Sequence, residues 1–192
     1  MLVDARAPDL PIVFANAAFS ALTGYPASAV VGRNCRFLQG PDTNPVAVGT
    51  LRRALAAGAG CTVTLRNYTR DGTPFWNEVT LAPLRDAAGH VIAYVGVQVD
   101  ATARVEAERQ RALQAAVLDA TAEGIYGIDH AGRCTFINPA AAALLGYTPD
   151  AVIGRDMHAL VHHHRRDGTP YPPDACPIHQ AAAGGAGGPC RG

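Results

Sequence analysis

A repeated pattern of residues constrains the fold of this chain more than any other feature of its sequence. Nine positions in the first half recur at one constant spacing in the second half. They are Phe14, Asn16, Leu22, Gly24, Tyr25, Val30, Gly32, Arg33 and Leu38, which recur as Phe136, Asn138, Leu144, Gly146, Tyr147, Val152, Gly154, Arg155 and Leu160. Each copy predicts a strand that ends in Asn, an Ala-rich helix that ends at Gly-Tyr, and a short helix before Gly-Arg. Such a repeat indicates a duplicated domain.

The two copies differ at the positions where chemistry is expected. Between Gly32 and Gly40, the first copy carries a thiol, carboxamides and guanidinium groups within one predicted helical turn. Cys35 and Gln39 lie four residues apart on a helix and share one face, so both side chains can contact one ligand. The second copy replaces Asn34, Cys35, Arg36 and Phe37 by Asp156, Met157, His158 and Ala159, and therefore cannot repeat cysteine chemistry. The alternative for Cys35 is a buried structural cysteine beside surface arginines.

The segment from Gly32 to Gly40, GRNCRFLQG, resembles the signature of the LOV family of blue-light sensors. The resemblance extends over roughly residues 3 to 103, and both copies resemble PAS domains, of which LOV domains are a subclass. It implies an α+β PAS fold, in which helices pack on one face of an antiparallel sheet. It also implies that the cofactor is FMN and that Cys35 forms a reversible, light-driven bond to flavin carbon C4a.

The repeat and the composition together predict the order of the domains. We expect a LOV domain over 1–100, a linker helix over 101–123, a partial second PAS domain over 124–180 and a disordered Gly/Ala-rich tail over 181–192. Only Leu2 to Asp4 are left for the first strand, which we expect at the edge of the sheet. Because the second copy has no counterpart of the last three strands of the first, we expect that it is truncated and that an output domain lies outside the chain.

Two asparagines interrupt the apolar faces of neighbouring predicted strands. Apolar and polar residues alternate from Cys61 to Tyr68, which places Asn67 on the apolar face, and Asn77 repeats the anomaly on the next strand. An unpaired buried amide costs about 1–3 kcal/mol, so both need polar partners. The pyrimidine edge of a flavin suits them, since a carboxamide both donates and accepts. The alternative is that the two amides pair with each other.

The resemblance implies further contacts with the flavin. Gln98 matches the glutamine of the family that bonds flavin N5, and protonation of N5 is expected to flip its amide. Arg36 and Arg52 are candidates for the FMN phosphate, because guanidinium groups suit bidentate phosphate contacts, and Arg53 is the alternative to Arg52. The predicted photochemical residues are Cys35 and Gln98, and the predicted cofactor-binding residues are Asn34, Arg36, Gln39, Arg52, Asn67, Asn77 and Gln98.

The stretch from Ala101 to Glu123 contains neither Gly nor Pro and predicts a helix. Leu113, Val117 and Ala120 form an apolar stripe along it. We therefore expect a signalling helix that pairs with its twin in a homodimer, with the PAS faces as the other candidate dimer surface. The alternative is a solvated connector.

Composition restricts the partners and the location of the protein. The 16 basic and 16 acidic residues balance, so charge gives no reason to expect nucleic acid or a membrane surface as a partner. The 5 cysteines include no CxxC pair, which predicts reduced thiols in the cytoplasm. Since the sequence has no apolar run of spanning length and no phosphate-binding loop, we expect neither a membrane protein nor an enzyme.

The histidines of the second copy raise the alternative of a metal site. The candidate ligands are His162, His163, His164, Cys176 and His179. The segment around them resembles a loop and helix of PAS domains in which no metal is implied, so we expect none. Two rival functions remain for the chain: a flavin redox sensor that forms no adduct, and a PAS dimerisation module without photochemistry.

Overall fold

The computed structural model of the chain describes residues 1–161, 163–177 and 180. The chain divides into two compact units, with the boundary between Arg109 and Gln110. The predicted tail, residues 181–192, lies outside the described residues.

The first unit is built on one antiparallel sheet, and the structure describes all of its residues. The strands are β1 (Leu2–Asp4), β2 (Ile12–Phe14), β3 (Cys61–Tyr68), β4 (Pro74–Arg85) and β5 (Val91–Asp100). Their order across the sheet is β2-β1-β5-β4-β3. The prediction that the short first strand lies at the edge is wrong, because β1 pairs with both β2 and β5: Leu2 lies opposite Phe14 on one side and Val95 on the other.

Helices fill the chain between β2 and β3 and follow β5. They are α1 (Ala17–Thr23), α2 (Ala27–Val30), a 3-10 helix (Cys35–Leu38), α3 (Pro45–Ala56) and α4 (Thr102–Ala120). Asparagine side chains cap α1 and α3, since the Oδ1 atoms of Asn16 and Asn44 accept from the first-turn N–H groups. Gly24 ends α1 with a φ of 73°, a left-handed conformation that glycine adopts without strain.

The core of the first unit lies between the sheet and the helices that precede β3. Its buried side chains are Val3, Ile12, Ala15, Phe19, Val30, Leu38, Leu65, Val79, Leu81 and Tyr94. Two amides, Asn67 and Asn77, are buried on the same inward faces of β3 and β4. The predicted α+β architecture, with helices packed on one face of an antiparallel sheet, is confirmed.

The described part of the second unit repeats the first elements of the fold. It contains β6 (Tyr126–Ile128), β7 (Cys134–Ile137), α5 (Pro139–Leu145), α6 (Pro149–Val152), α7 (Met157–Val161) and a 3-10 turn (Pro173–Ala175). Asn138 caps α5 through the N–H of Ala141, as Asn16 caps α1. Gly146 ends α5 with a φ of 75°, which matches Gly24 at the end of α1. The sequence repeat therefore corresponds to a repeat of local structure.

Candidate functional site

A cavity of about 190 Å³ opens between the sheet and the helices of the first unit. Most of its wall is apolar and is supplied by Met1, Val3, Leu10, Val48, Leu51, Leu55, Leu65, Val79, Leu81 and Tyr94. The polar lining consists of seven of the predicted site residues, namely Asn34, Cys35, Arg36, Gln39, Arg52, Asn67 and Gln98. The structure thus brings together side chains from the 3-10 helix, α3, β3 and β5 around one space.

The 3-10 helix fixes the thiol at this cavity. It spans Cys35–Leu38, so Asn34 and Gln39 form its two caps and are not part of a longer helix. The Oδ1 atom of Asn34 accepts from the N–H of Arg36 at 2.9 Å, which closes the first turn. Leu38 is buried in the core and anchors the turn. Cys35 is consequently held against the cavity while Arg36 extends to its rim.

Three amides form a connected network next to the thiol. Gln98 donates through Nε2 to Sγ of Cys35 at 3.3 Å, and its Oε1 accepts from Nδ2 of Asn77 at 3.2 Å. The same Nδ2 donates to Oδ1 of Asn67 at 2.9 Å. Asn77 does not line the cavity itself and reaches it through its two neighbours. The network therefore runs from β3 through β4 and β5 to the thiol.

The alternative that the two asparagines pair with each other is present in this structure. It leaves one group unsatisfied, because Oδ1 of Asn77 is buried and has no hydrogen-bond partner among the described residues. Buried polar atoms without a partner are rare in folded proteins. Pairing of Asn67 with Asn77 therefore does not complete the hydrogen bonding at this end of the cavity.

Burial controls the protonation of the thiol. It raises the pKa of Cys35 to about 11, and the hydrogen bond from Gln98 lowers that pKa by a smaller amount. The side chain is consequently a neutral thiol at neutral pH. A hydrolytic cysteine nucleophile is activated in the opposite direction, by a lowered pKa.

Two arginines stand at the rim of the cavity. Arg36 forms an ion pair with Asp9, and both side chains are largely exposed. Arg52 lines the cavity from α3 and forms no ion pair with any residue in the described ranges. Arg53 does not line the cavity and donates to Oγ1 of Thr50 instead. The sequence favoured Arg52 over Arg53 mostly through the resemblance, and of the two only Arg52 lines the cavity.

Some residues at the cavity were not identified from the sequence. Tyr94 is buried, lines the cavity and donates through its hydroxyl to the carbonyl of Leu55 at 3.1 Å. The spacing in the sequence could have identified it, because Tyr94 lies four residues before Gln98 on β5 and therefore on the same face of the strand. Asp9 and Leu10 carried no such signal, since they lie in the loop between β1 and β2.

The outer face of β4 connects this site to α4. Trp76 and Glu78 flank Asn77 and point away from the cavity side of the strand. The N–H of Trp76 donates to Oγ1 of Thr102 at 3.0 Å, and the carbonyl of Trp76 accepts from the N–H of Ala101 at 2.8 Å. Glu78 forms an ion pair of 2.6 Å with Arg104. The start of α4 is therefore bonded to the strand that carries Asn77.

The second unit has different chemistry at the corresponding turn. Met157 is fully buried where the first copy has Cys35, and His158 contacts the carbonyl of Tyr171 through Nε2 at 2.8 Å. The described residues contain no group of three side chains that could hold a metal ion. Two of the candidate ligands, His162 and His179, lie outside those residues. None of the helices in the described ranges is both long and apolar enough to span a bilayer.

Comparison with known proteins identifies the family to which each unit is similar. The family profile described as "PAS domain" matches residues 1–103, and a second profile described as "PAS fold" matches residues 112–172. A blue-light-activated histidine kinase of Rhizobium johnstonii is 48% identical over 115 residues, which cover 60% of this chain and 32% of that protein. Phototropin-2 of Oryza sativa subsp. japonica is 48% identical over 103 residues, which cover 54% of this chain and 11% of that protein.

Solved structures give the same assignment. The light-state structure of the blue-light photoreceptor aureochrome1 LOV has a TM-score of 0.52 and 46% identity, and the match covers 57% of this chain and 88% of that one. An RNA-binding light-oxygen-voltage receptor has a TM-score of 0.57 and 46% identity, covering 60% of this chain and 33% of that one. The chain spans about a third of the length of its bacterial kinase relative. It belongs to the PAS domain family, and its first domain is a LOV domain.

Proposed function

We propose that the first domain is a blue-light sensor that binds FMN in the cavity and uses Cys35 as its reactive thiol. The single observation that carries the proposal is the contact of 3.3 Å between Cys35 Sγ and Gln98 Nε2 inside this cavity. The similarity to blue-light LOV photoreceptors supports it independently.

The residues around the cavity fit a flavin. The aliphatic side chains of α3 and β3 suit a flat aromatic ring, and the amides of Asn67 and Gln98 suit its polar edge. The buried Oδ1 of Asn77 lacks a donor within the described chain. Asn77 reaches the cavity only through Asn67 and Gln98, so a ligand that bonds these two amides would change the partners of Asn77, and a donor to its Oδ1 would remove a cost of about 1–3 kcal/mol. We assign the phosphate to Arg36 and Arg52, whose guanidinium groups stand at the rim. Asn34 and Gln39 complete the proposed set.

The chemistry follows from the state of the protein groups. When bound, FMN would supply the absorption of blue light and the carbon, C4a, to which the sulfur adds reversibly. Cys35 holds its proton at neutral pH, because burial keeps its pKa high. The thiol would therefore supply both the sulfur and the proton, which would pass from Sγ to flavin N5, so no external base is required. In darkness the bond from the sulfur would break and the proton would return to Sγ, which would restore the starting state without net turnover.

The proposed signal leaves the site through β5 and β4. Gln98 bonds both Cys35 and Asn77, so a change in the bonding at the thiol alters the partner of its amide. Two residues after Gln98, the Oδ1 atom of Asp100 accepts from the N–H of Thr102 at the start of α4. We propose that a flip of the Gln98 amide changes the attachment of this helix.

The proposed partners and setting follow from the same fold. We propose a homodimer formed through α4 or the PAS faces, with FMN as the bound cofactor and no nucleic acid or membrane as a partner. A cytoplasmic sensor role, without an enzyme active site in this chain, fits the sensory relatives. A kinase is part of the R. johnstonii relative, so we propose that an output of this kind lies outside the chain.

Irradiation of the FMN-loaded chain tests the proposal. We expect the flavin absorption to bleach under blue light and to recover in darkness. Cys35→Ala should retain FMN and lose the bleaching. Met157→Cys in the Cys35→Ala background is the matched control, because Met157 holds the corresponding position in the second unit, and it should not restore bleaching.

The outcomes separate the candidate functions. Bleaching that persists in Cys35→Ala would contradict the role of this thiol. A spectrum that responds to reductant but not to light would favour the redox sensor. A chain that binds no flavin would favour the dimerisation module.

A further inference from the structure

The loop between β1 and β2 covers one side of the cavity rim. Its residues Asp9 and Leu10 both have left-handed backbone conformations, with φ of 67° and 50°. Leu10 lines the cavity, while the carbonyl of Asp9 accepts from Nδ2 of Asn34 at 2.5 Å. The carboxylate of Asp9 is paired with Arg36. The loop is thus tied to the 3-10 helix by both the backbone and the side chain of one residue.

The charges at the rim are unequal. Arg36 and Arg52 both line the cavity, but Arg36 shares its charge with Asp9. Arg52 has no such acidic partner within the part of the chain that the structure describes. An incoming dianionic phosphate therefore meets one free guanidinium group and one that already holds an anion. Asp9 reduces the net charge of this pair of arginines from about +2 to about +1.

We propose that the Asp9 carboxylate is an internal anion that the phosphate of the ligand displaces from Arg36, which makes Asp9 a specificity-determining residue for phosphorylated against unphosphorylated flavin. The inference rests on the proposed binding of FMN. Arg36 exchanges one anion for another when FMN binds, so only part of its attraction for the phosphate contributes to affinity. Riboflavin has no phosphate, and it leaves the pair of Asp9 and Arg36 intact.

The Asp9→Asn variant removes the negative charge of the Asp9 side chain and preserves the backbone of the loop. Asparagine tolerates the left-handed backbone conformation better than most residues, and its backbone carbonyl still accepts from Asn34. Any change in the loop itself affects both flavins, because they share the ring and the ribityl chain. The ratio of the riboflavin Kd to the FMN Kd therefore reports the interaction with the phosphate alone.

The test measures both dissociation constants by flavin fluorescence, with the full chain stripped of flavin. In Asp9→Asn we expect the ratio to rise about five-fold at low salt, the order expected for one screened charge, and to rise less at high salt. Asp4→Asn is the matched control: Asp4 also pairs with an arginine, Arg6, at 3.4 Å, but Arg6, unlike Arg36, does not line the cavity, and the ratio should stay unchanged. In an Arg36→Gln background, Asp9→Asn should raise the ratio much less, because the two changes share one interaction.

A ratio that stays constant or falls in Asp9→Asn would overturn the inference, since Asp9 would then only position Arg36. An equal rise in the Arg36→Gln background would also overturn it. If the unaltered chain binds both flavins and the ratio fails to rise, only the inference is lost. If the unaltered chain binds neither flavin, the proposed function fails, and the inference fails with it.

Discussion

Asn77 and Gln98 share a hydrogen bond of 3.2 Å although they are not opposite each other on their strands. Gln98 lies opposite Val79 in the register of β4 and β5, which makes Asn77 its diagonal neighbour. Diagonal neighbours on one face of a sheet are within reach of long side chains. The bond fixes the orientation of the amide that contacts Cys35, so Asn77 acts on the thiol through Gln98.

Replacement of Gln98 by Leu should separate photochemistry from signalling. Asn77 loses an acceptor and Cys35 loses a donor, so we expect the free energy of unfolding to fall by about 1–3 kcal/mol. Bleaching should persist, because the thiol remains, but light should no longer change hydrogen exchange in the first turns of α4. Val97→Ala is the control, since Val97 is the preceding residue on the exposed face. A normal light response of α4 in Gln98→Leu would contradict the relay.

The protonation of Cys35 predicts how bleaching depends on pH. Burial raises the pKa of this thiol to about 11, so the protonated form is populated at every pH below that value. We expect the bleaching amplitude of the FMN-loaded chain to be constant between about pH 6 and about pH 9, where an ordinary cysteine already begins to ionise. The amplitude should fall only as the pH rises toward the raised pKa. A loss with a midpoint near neutral pH would show that the thiolate is not suppressed.

The sequence predicted those parts of the site that follow from local periodicity. Alternation along β3 and β4 placed Asn67 and Asn77 on the inward face, and the structure has both there. The position of β1 in the sheet was not predictable in this way, because alternation gives the faces of a strand but not its neighbours. The pair of Asp9 and Arg36 depends on two consecutive left-handed residues that are not glycine, a conformation that no local pattern signals.

The ion pair between Glu78 and Arg104 should hold the first turns of α4 to the sheet. Arg104→Gln should lower the free energy of unfolding by less than about 1 kcal/mol, because both groups are partly exposed. Hydrogen exchange in the first turns of α4 should nevertheless accelerate. Arg109→Gln is the control on the same helix, and Glu108→Gln removes the other ion pair of Arg104, at 3.4 Å, so that the contribution of Glu78 can be separated from it. Equal effects of Arg104→Gln and Arg109→Gln would refute this role.

The exposed stripe on α4 predicts the dimer contact. Leu113 and Val117 lie four residues apart, and both are more than half exposed, at 57% and 58%. Leu113→Glu combined with Val117→Glu should convert a dimer into a monomer in analytical ultracentrifugation, because facing carboxylates repel. Gln114→Glu adds a charge to the same helix outside the stripe and should leave the dimer intact. A dimer that survives the double substitution would place the contact on the PAS faces instead.

Alanine substitutions at two glycines close to the site should change the free energy of unfolding in opposite directions. A methyl group on Gly40 would overlap the ring of Tyr68, and that ring cannot move easily because its hydroxyl donates to Asp42 at 2.9 Å. We expect Gly40→Ala to lower the free energy of unfolding by about 1–3 kcal/mol. Gly49 lies inside α3, where a methyl group meets only the flexible end of Arg53 at 3.6 Å. Gly49→Ala should therefore raise the free energy of unfolding by about 0.4–1 kcal/mol. Chemical denaturation of the flavin-free chain measures both. A rise for Gly40→Ala would contradict the packing at Tyr68, and a fall for Gly49→Ala would contradict the space beside Arg53.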